Sequence, residues 1–336
     1  MGVSRKKDSA IKKSISIVIP AYNEEECIDE LVGRLTGVFN LETNYFFQCL
    51  IIDNGSTDNT WLKLKSATYG DSRFRPIKLS RNFGMDGGLT AGIDLVEGDA
   101  LVLMAADLQD PPELIPDFLR KWEEGYENIY GLIVSRKSSH PLRRMNSWLF
   151  YRIADYLSNG QIVKNASDFR LVDRKVYLAV RSMGERIRFV RGLFAWVGFK
   201  SIPIELSRPP RFAGESNAHT SVVLDLAIKG ILSNSYKPLK LISTLGLGLS
   251  LLSFMLVPVF AVFWVIVGVP FSGFGTIVAI NLVIFSLIIG ALGILAEYLA
   301  LNYEEVKGRP SYLVSIDSIN ENQQESLRNL RPGRRW

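Results

Sequence analysis

The chain has 336 residues, 39 Lys+Arg against 34 Asp+Glu, a net charge of +5 and a mean hydropathy of +0.13. Its two histidines, His140 and His219, and two cysteines, Cys27 and Cys49, are too few for a histidine-based metal site, a Ser-His-Asp triad or a disulfide framework; the two thiols read as core residues in a reducing compartment. The basic balance alone admits nucleic acid, an anionic membrane surface or phosphate ligands.

Met1–Lys13 is basic and polar and lacks the apolar core of a signal peptide, so export by that route is not expected. From residue 15 to 135, short apolar runs alternate with amphipathic segments. Ser14–Ile19, Phe47–Ile52, Pro76–Leu79, Ala100–Met104 and Ile129–Val134 read as buried strands. Glu25–Phe39, Thr57–Ala67, Met85–Leu95 and Pro112–Glu124 have helical spacing. This alternation predicts an α/β fold with a doubly wound, mainly parallel sheet, whose ligands bind beyond the C-terminal strand ends. Polar clusters fall at those ends: Tyr22-Asn23-Glu24, Asp53-Asn54-Gly55-Ser56, and Asp107 to Asp110.

Residues 136–220 are less regular and rich in arginine, and Ser221–Tyr236 has an amphipathic pattern suited to the membrane interface. From Leu241 to Ala296, 56 residues carry no Asp, Glu, Lys or Arg. Two apolar segments, 241–267 and 276–301, each exceed the ~20 residues needed to cross a bilayer as a helix. Lys229, Lys237 and Lys240 precede them, and Lys307, Arg309, Arg328, Arg331, Arg334 and Arg335 follow. That bias predicts a helical hairpin with both flanks, and so both termini, in the cytoplasm. The basic residues cluster at the bilayer rather than as a stripe with interleaved aromatics, which argues against nucleic acid. Glu297 ends the second span beside Tyr298 and Tyr303, and the tail after Asp317 is polar.

Each polar cluster suggests chemistry. In Val18-Ile19-Pro20-Ala21-Tyr22-Asn23-Glu24-Glu25 the aromatic ring suits a base and the carboxylate a ribose, while Asn23 could equally cap the following helix. In Ile51-Ile52-Asp53-Asn54-Gly55-Ser56-Thr57-Asp58, Asp53 is placed to accept bonds from a base or ribose. There Ser56, Thr57 and Asp58 fit capping as well as ligand contact. In Asp107-Leu108-Gln109-Asp110-Pro111-Pro112-Glu113, hard oxygens after a buried strand suit Mg2+ or Mn2+ bridging a diphosphate. Alternation puts Asp107 and Gln109 on one side if the strand continues. Arg188 and Arg191 have helical spacing facing one side, toward an acceptor or a membrane surface.

The order VIPAYNEE, IIDNGSTDNT, LSRNFGMDGGLTAG and ADLQDPPELIP, followed by the apolar hairpin, resembles the polyisoprenyl-phosphate glycosyltransferases of glycosyltransferase family two. These include bactoprenol glucosyltransferases and are related to dolichol-phosphate mannose synthase. The resemblance runs from about residue 14 to 314. It implies a GT-A fold over 14–220 after a basic tail (1–13), an interfacial helix (221–240), two transmembrane helices (241–302) and a cytoplasmic segment (303–336). It implies inverting transfer of a sugar to polyisoprenyl (undecaprenyl) phosphate at the cytoplasmic face of the cell membrane, with Mg2+ or Mn2+ as cofactor. Nucleotide contacts are implied at Pro20, Tyr22, Glu24 and Asp53, with metal binding by Asp107 and Gln109. Acceptor phosphate falls to Arg136, Arg143, Ser147 and Arg211, and Asp168 orients acceptor or sugar.

The implied partners are a nucleotide-sugar, polyisoprenyl phosphate, membrane lipid and further copies of the chain, a homo-oligomer assembled through membrane helices. Two positions depart from the family: Ala105 where relatives often carry Asp, and Ala218 where a large hydrophobic residue is usual. Glucose from UDP-glucose is the first expectation for the donor, with mannose and amino sugars open. A processive synthase would need more spans and a Gln-x-x-Arg-Trp motif, where Arg188-Phe189-Val190-Arg191-Gly192 stands instead. A non-catalytic subunit that binds lipid phosphate remains the second alternative.

Overall fold

The computed structural model describes residues 12–134, 165–186, 188–208, scattered positions between 239 and 266, and 273–315. In chain order the elements are β1 (Lys13–Ala21), α1 (Ile28–Leu41), β2 (Tyr45–Asp53), α2 (Thr60–Ala67), β3 (Phe74–Lys78), α3 (Gly84–Leu95) and β4 (Ala100–Leu103). A 3-10 turn (Pro112–Leu114) leads into α4 (Ile115–Glu123), followed by β5 (Asn128–Ile133), β6 (Ala166–Asp173), α5 (Arg174–Ser182), α6 (Val190–Trp196), β7 (Ser201–Leu206) and α7 (Phe274–Lys307).

The seven strands form one sheet in the order β3-β2-β1-β4-β6-β5-β7. All neighbours are parallel except at β6, which runs antiparallel to β4 and β5. This is the α/β, mainly parallel arrangement that the alternating pattern led to, and it is GT-A-like, as the resemblance implied. The central strands are buried on both faces, as parallel strands under helices must be. Ile15, Ile17 and Ile19 of β1 join Cys49, Ile51, Val102 and Phe169 in one core with α1 and α4. Val18, Leu50, Ile52, Leu101 and Val172 join the other, with α3, α5 and α6. The period-2 alternation of each strand therefore feeds two separate hydrophobic layers. Both cysteines are free and buried.

The strand order reverses between β1 and β4: β1 leads outward to β2 on one side and meets β4 on the other. Such a switch point opens a crevice at the C-terminal strand ends. Close approach of α3 to β1 shapes its wall. A Cβ on Gly92 would lie 2.1 Å from Val18 Cγ1.

The five strands and four helices expected before residue 135 are all present, with ends shifted by a few residues. The stretch 165–208 is more regular than expected, holding β6, α5, α6 and β7. Pro203 inside β7 obscured that strand, yet β7 is an edge strand, where proline is tolerated. Pro76 holds the same position on β3 at the opposite edge. There, residues 313–315 add a short antiparallel contact: Ser80 N–H donates to Leu313 O at 2.9 Å and Ser315 N–H to Lys78 O at 2.7 Å.

The described residues divide into two compact units, the sheet with its helices and residues 310–315 in one, α7 in the other. α7 has 34 residues and ends at Gly308, whose φ of 67° is left-handed. At 1.5 Å per residue it is about 50 Å long, more than the ~30 Å of a hydrocarbon core. Leu287–Lys307 is long and apolar enough to cross a membrane. Its large apolar side chains, among them Ile289, Leu292 and Leu299, are exposed. The second predicted span thus coincides with a helix. The first, the interfacial segment before it and the tail after Asp317 lie wholly or largely outside the described residues.

The α3–β1 contact generates a stability prediction. Gly92→Ala should cost about 1–3 kcal/mol through overpacking, a fall of roughly 2–4 °C in Tm per kcal/mol. Gly37→Ala in α1, where a new Cβ meets nothing within 4 Å, should hold or raise Tm. Thermal circular dichroism of the full chain in detergent checks both; equal Tm values for the two variants would rule out the close contact.

Candidate functional site

Because β1, β2 and β4 are adjacent and parallel, their ends bring Pro20–Glu24, Asp53–Ser56 and Ala105–Asp110 to one edge of the sheet. The first two loops are bonded to each other. Asn54 N–H donates to Ala21 O at 2.8 Å. Asn23 N–H donates to Ser56 Oγ at 3.0 Å, and Thr57 N–H to Asn23 Oδ1 at 2.9 Å. Glu24 N–H donates to Thr60 Oγ1 at 2.9 Å and Glu25 N–H to Asp58 Oδ2 at 3.3 Å. Asn23 takes a left-handed φ of 54° to make this turn. It therefore does not cap α1, which begins at Ile28 without a side-chain cap. Ser56 and Thr57 bond the neighbouring loop, while Asp58 serves both that loop and the start of α2, accepting from Thr60 N–H at 3.0 Å.

Asp53 is fully buried at the end of β2. Its Oδ1 accepts from Ser56 N–H at 2.9 Å, while its Oδ2 has no hydrogen-bond partner among the described residues. A buried, unmatched carboxylate oxygen is costly, about 1–3 kcal/mol or more, unless a ligand supplies the donor. Gly55, with φ 72°, allows the turn to lie against Arg81, whose backbone a Cβ would meet at 2.4 Å. Asn54, not singled out by the sequence pattern, extends the network to the loop after β3. Its Nδ2 donates to Gly84 O at 2.8 Å and its Oδ1 accepts from Phe83 N–H at 3.0 Å. Tyr22 and Glu24 are half-buried on the β1 loop, and Pro20 lies under α3, where a Cβ on Gly88 would come within 2.8 Å.

The acidic loop differs from the expectation of a continuing strand. β4 stops at Leu103. A turn with Leu108 at φ 59° then buries Ala106 and Leu108 in the core and leaves Asp107 and Gln109 as the alternating polar pair. Gln109 N–H donates to Asp107 Oδ1 at 3.2 Å. A non-glycine residue held in this region stores strain, which clusters at functional sites. Among the described residues, no three His, Cys, Asp or Glu side chains gather as a metal cluster. Asp107 with Gln109 offers one carboxylate and one amide oxygen. That set fits a divalent ion carried in on phosphate oxygens, since Mg2+ commonly takes one or two carboxylates plus substrate phosphates.

Asp168 joins the same edge through the antiparallel register of β6. Leu103, the last residue of β4, lies opposite Arg170, and Asp168 precedes Arg170 near the start of β6. Its two carboxylate oxygens accept from Arg191 Nε at 2.8 Å and Nη2 at 2.5 Å. Burial pushes the Asp168 carboxyl up, but the bonds and charge of Arg191, with Arg170 and Arg208 beyond, more than reverse this and hold its pKa below the ordinary value. Asp86, on the first turn of α3, accepts from Val190 N–H at 3.0 Å and so fixes the start of α6. Burial raises its pKa to about 6, helped by Asp168 and opposed by the Val190 bond and Arg191.

Arg188 and Arg191 do not share a helix face. Arg188 precedes α6 and is buried, donating to Met183 O at 2.7 Å and lying 3.9 Å from Asp94. The predicted acceptor residues Arg136, Arg143, Ser147 and Arg211, and the departure at Ala218, lie outside the described residues. Sequence reading missed Asp86, Asp110 and Arg208 as participants. The first was one polar residue in a helical run, and the pairing of the other two spans 98 residues.

Residues 16–180 match Glycosyl transferase family 2. An uncharacterised glycosyltransferase of Synechocystis is 38% identical over 302 residues, covering 90% of this chain and 94% of that one. The uncharacterised glycosyltransferase YkcC of Bacillus subtilis is 37% identical, covering 89% and 92%. A prophage bactoprenol glucosyl transferase homologue of Escherichia coli is 31% identical, covering 89% and 98%.

The Asp86 environment predicts a pH dependence. The folded chain keeps a proton on Asp86 up to about pH 6, whereas the unfolded chain releases it near 3.8. The folded state thus binds more protons in that window, so this group's contribution to stability falls as pH rises through it. Asp86→Asn keeps an acceptor for Val190 N–H and removes the titration. The Tm difference, variant minus parent, should grow by a few degrees between about pH 4 and pH 6 and level off above. A difference that is constant from about pH 4 to 7 would refute the raised pKa.

Proposed function

The chain belongs to glycosyltransferase family 2, and from that premise we propose that it moves a hexose from a nucleotide-sugar to polyisoprenyl (undecaprenyl) phosphate at the cytoplasmic face of the cell membrane. The donor we assign is UDP-glucose, supported by the bactoprenol glucosyl transferases among its relatives. The observation that carries the reading is Asp53: a fully buried carboxylate at the switch point, one oxygen of which has no hydrogen-bond partner among the described residues, in a loop system where backbone N–H groups and short polar side chains bond across the two loops.

On this reading Asp53 Oδ2 accepts a hydrogen bond from the nucleoside, Tyr22 stacks on the base, and Glu24 takes a ribose hydroxyl. Asp107 and Gln109 hold Mg2+ or Mn2+. The ion, when bound, neutralises charge on the leaving diphosphate. Pro20 closes the donor floor beneath α3. Arg136, Arg143, Ser147 and Arg211 bind the acceptor phosphate, guanidinium forks being suited to it. Asp168, anionic and fixed by Arg191, orients acceptor or sugar.

In the transfer, a phosphate oxygen of the lipid forms the bond to the anomeric carbon. The bond from that carbon to the diphosphate breaks on the opposite face, so the centre inverts. The acceptor is already anionic near neutral pH, so no strong general base is required. Alignment of two bound reactants supplies several kcal/mol of the barrier. α7 supports membrane association, and the two-span hairpin with cytoplasmic termini and assembly through the membrane helices belong to the same proposal.

A panel of radiolabelled UDP- and GDP-sugars with undecaprenyl phosphate and Mn2+ tests the reading in full-length protein. Label from UDP-glucose should enter the lipid as a single sugar, and Asp107→Ala should lower the rate at least about 100-fold, some 2.7 kcal/mol, without loss of folding. Labelling from GDP-mannose or an amino-sugar donor instead would overturn the sugar assignment. Long glycan products would indicate a processive synthase. Lipid-phosphate binding with no donor turnover would indicate a non-catalytic subunit.

A further inference from the structure

Asp110 plays no part in the proposed chemistry, yet it is fully buried inside the acidic loop and bonded on three sides. Its Oδ2 accepts from Ala105 N–H at 3.2 Å, where the loop leaves β4. Its Oδ1 accepts from the Ser167 hydroxyl at 3.3 Å on β6 and from Arg208 Nη2 at 3.0 Å, just beyond β7. Arg208 Nη2 also donates to Ser167 Oγ at 3.1 Å, and Ser167 Oγ accepts from Phe169 N–H at 3.2 Å. Three chain segments far apart in sequence therefore converge on one carboxylate three residues from Asp107.

The placement of Arg208 is informative. It issues from the outermost strand and reaches past β5 to β6 and the acidic loop. A guanidinium with a half-exposed stem would interact more cheaply with water, so the reach implies that the buried carboxylate needs it. Without Arg208, Asp110 Oδ1 and Ser167 Oγ would both lose the donor that ties them to the segment beyond β7. The Asp110 contacts to Ala105 and Ser167, which bracket the left-handed turn at Leu108 between Asp107 and Gln109, would then be held less firmly.

We infer that Arg208, acting through Asp110 and Ser167, is a positioning residue that holds the acidic loop in its ion-binding conformation before any ligand arrives. It does not itself touch the diphosphate or the metal. This inference rests on the reading of Asp107 and Gln109 as the donor-metal site, and it adds the residue that preorganises them.

The test uses full-length protein in detergent and the variants Arg208→Gln, Arg208→Lys, Asp110→Asn and the Arg208→Gln/Asp110→Asn double. Without metal, hydrogen exchange of the peptide covering residues 104–110 should accelerate about tenfold in Arg208→Gln, while β1 and β2 keep their protection. Arg208→Lys, which keeps the charge, should recover part of it. With Mn2+ and UDP as probes, the Mn2+ concentration for half-maximal UDP binding should rise about tenfold in each single variant. The double variant should be no worse than the poorer single one, because both break the same contact.

Unchanged exchange and unchanged Mn2+ dependence in Arg208→Gln would overturn the inference. So would equal loss of protection in β1 and β2, which would make Arg208 a general stabiliser of the fold. If the parent protein bound no UDP with Mn2+, the donor-site reading would fall, while the metal-free exchange experiment would still decide what Arg208 does.

Discussion

A carboxylate oxygen buried at the end of a parallel strand must find a hydrogen-bond donor, and this constraint organises the crevice edge of the sheet. Parallel strands run into the sheet from one side and release their polar residues together on the other. At β1 and β2 the backbone N–H groups and short polar side chains meet that demand by bonding across the two loops, from Asn23 to Ser56 and Thr57 and from Glu24 to Thr60. Asp53 is the place where the mutual satisfaction stops. Among the described residues no donor reaches its Oδ2, and this is the feature on which the proposed nucleoside contact rests.

Much of this edge was legible because its determinants are local. A run such as Ser14–Ile19 specifies a strand buried on both faces, and its proline and polar successors mark where it ends. Asp53 and Asp107 could therefore be assigned to strand ends, and the strand ends to a shared crevice. The roles of the short polar residues were not legible. Asn23 followed by a helical run looks like a cap, and only the left-handed turn at Asn23, which aims its side chain at Thr57, removes that reading. The acidic loop shows the same limit from the other side. Asp107 and Gln109 were paired by assuming a continuing strand, whereas β4 stops at Leu103 and a left-handed turn at Leu108 sets Asp107 Oδ1 against Gln109 N–H.

The second half of the sheet was hidden for a different reason. Its strands are short or interrupted, as by Pro203, and its charges are compensated by partners remote in sequence. Asp168 meets Arg191, Asp94 lies near Arg188, and Asp110 meets Arg208. Read along the chain, these arginines form an undifferentiated basic stretch and invite assignment to phosphate. In the fold they divide. Arg188 is enclosed by carbonyls and Asp94, whereas Arg191 and Arg208 orient carboxylates at the working edge. Asp94 and Arg188 are both buried, and Asp110 is buried against a partly exposed Arg208; losing the partner of a buried charge is costly, because the survivor is left charged without one. The same cost makes such pairs effective at holding loops in one geometry.

α7 obeys a separate rule of solvation. Its Ile, Leu and Phe side chains are exposed along much of its length, and in water each would forgo on the order of 1 kcal/mol or more of burial. Summed over the helix, that penalty exceeds the few kcal/mol by which a domain of this size is stable, so the helix suits an apolar surround. On the proposed reading a bilayer supplies that surround, and the acceptor as well. A prenyl chain confines its phosphate to the membrane surface. An enzyme confined to the same surface meets that phosphate at a raised local concentration, in the way a linker raises the second encounter of a bivalent ligand. The donor side has no such help, since a nucleotide-sugar arrives from solution. On the same reading, the polar detail that locks the loops around Asp53, and braces the acidic loop through Asp110, falls on the half of the reaction that must capture its substrate by affinity alone.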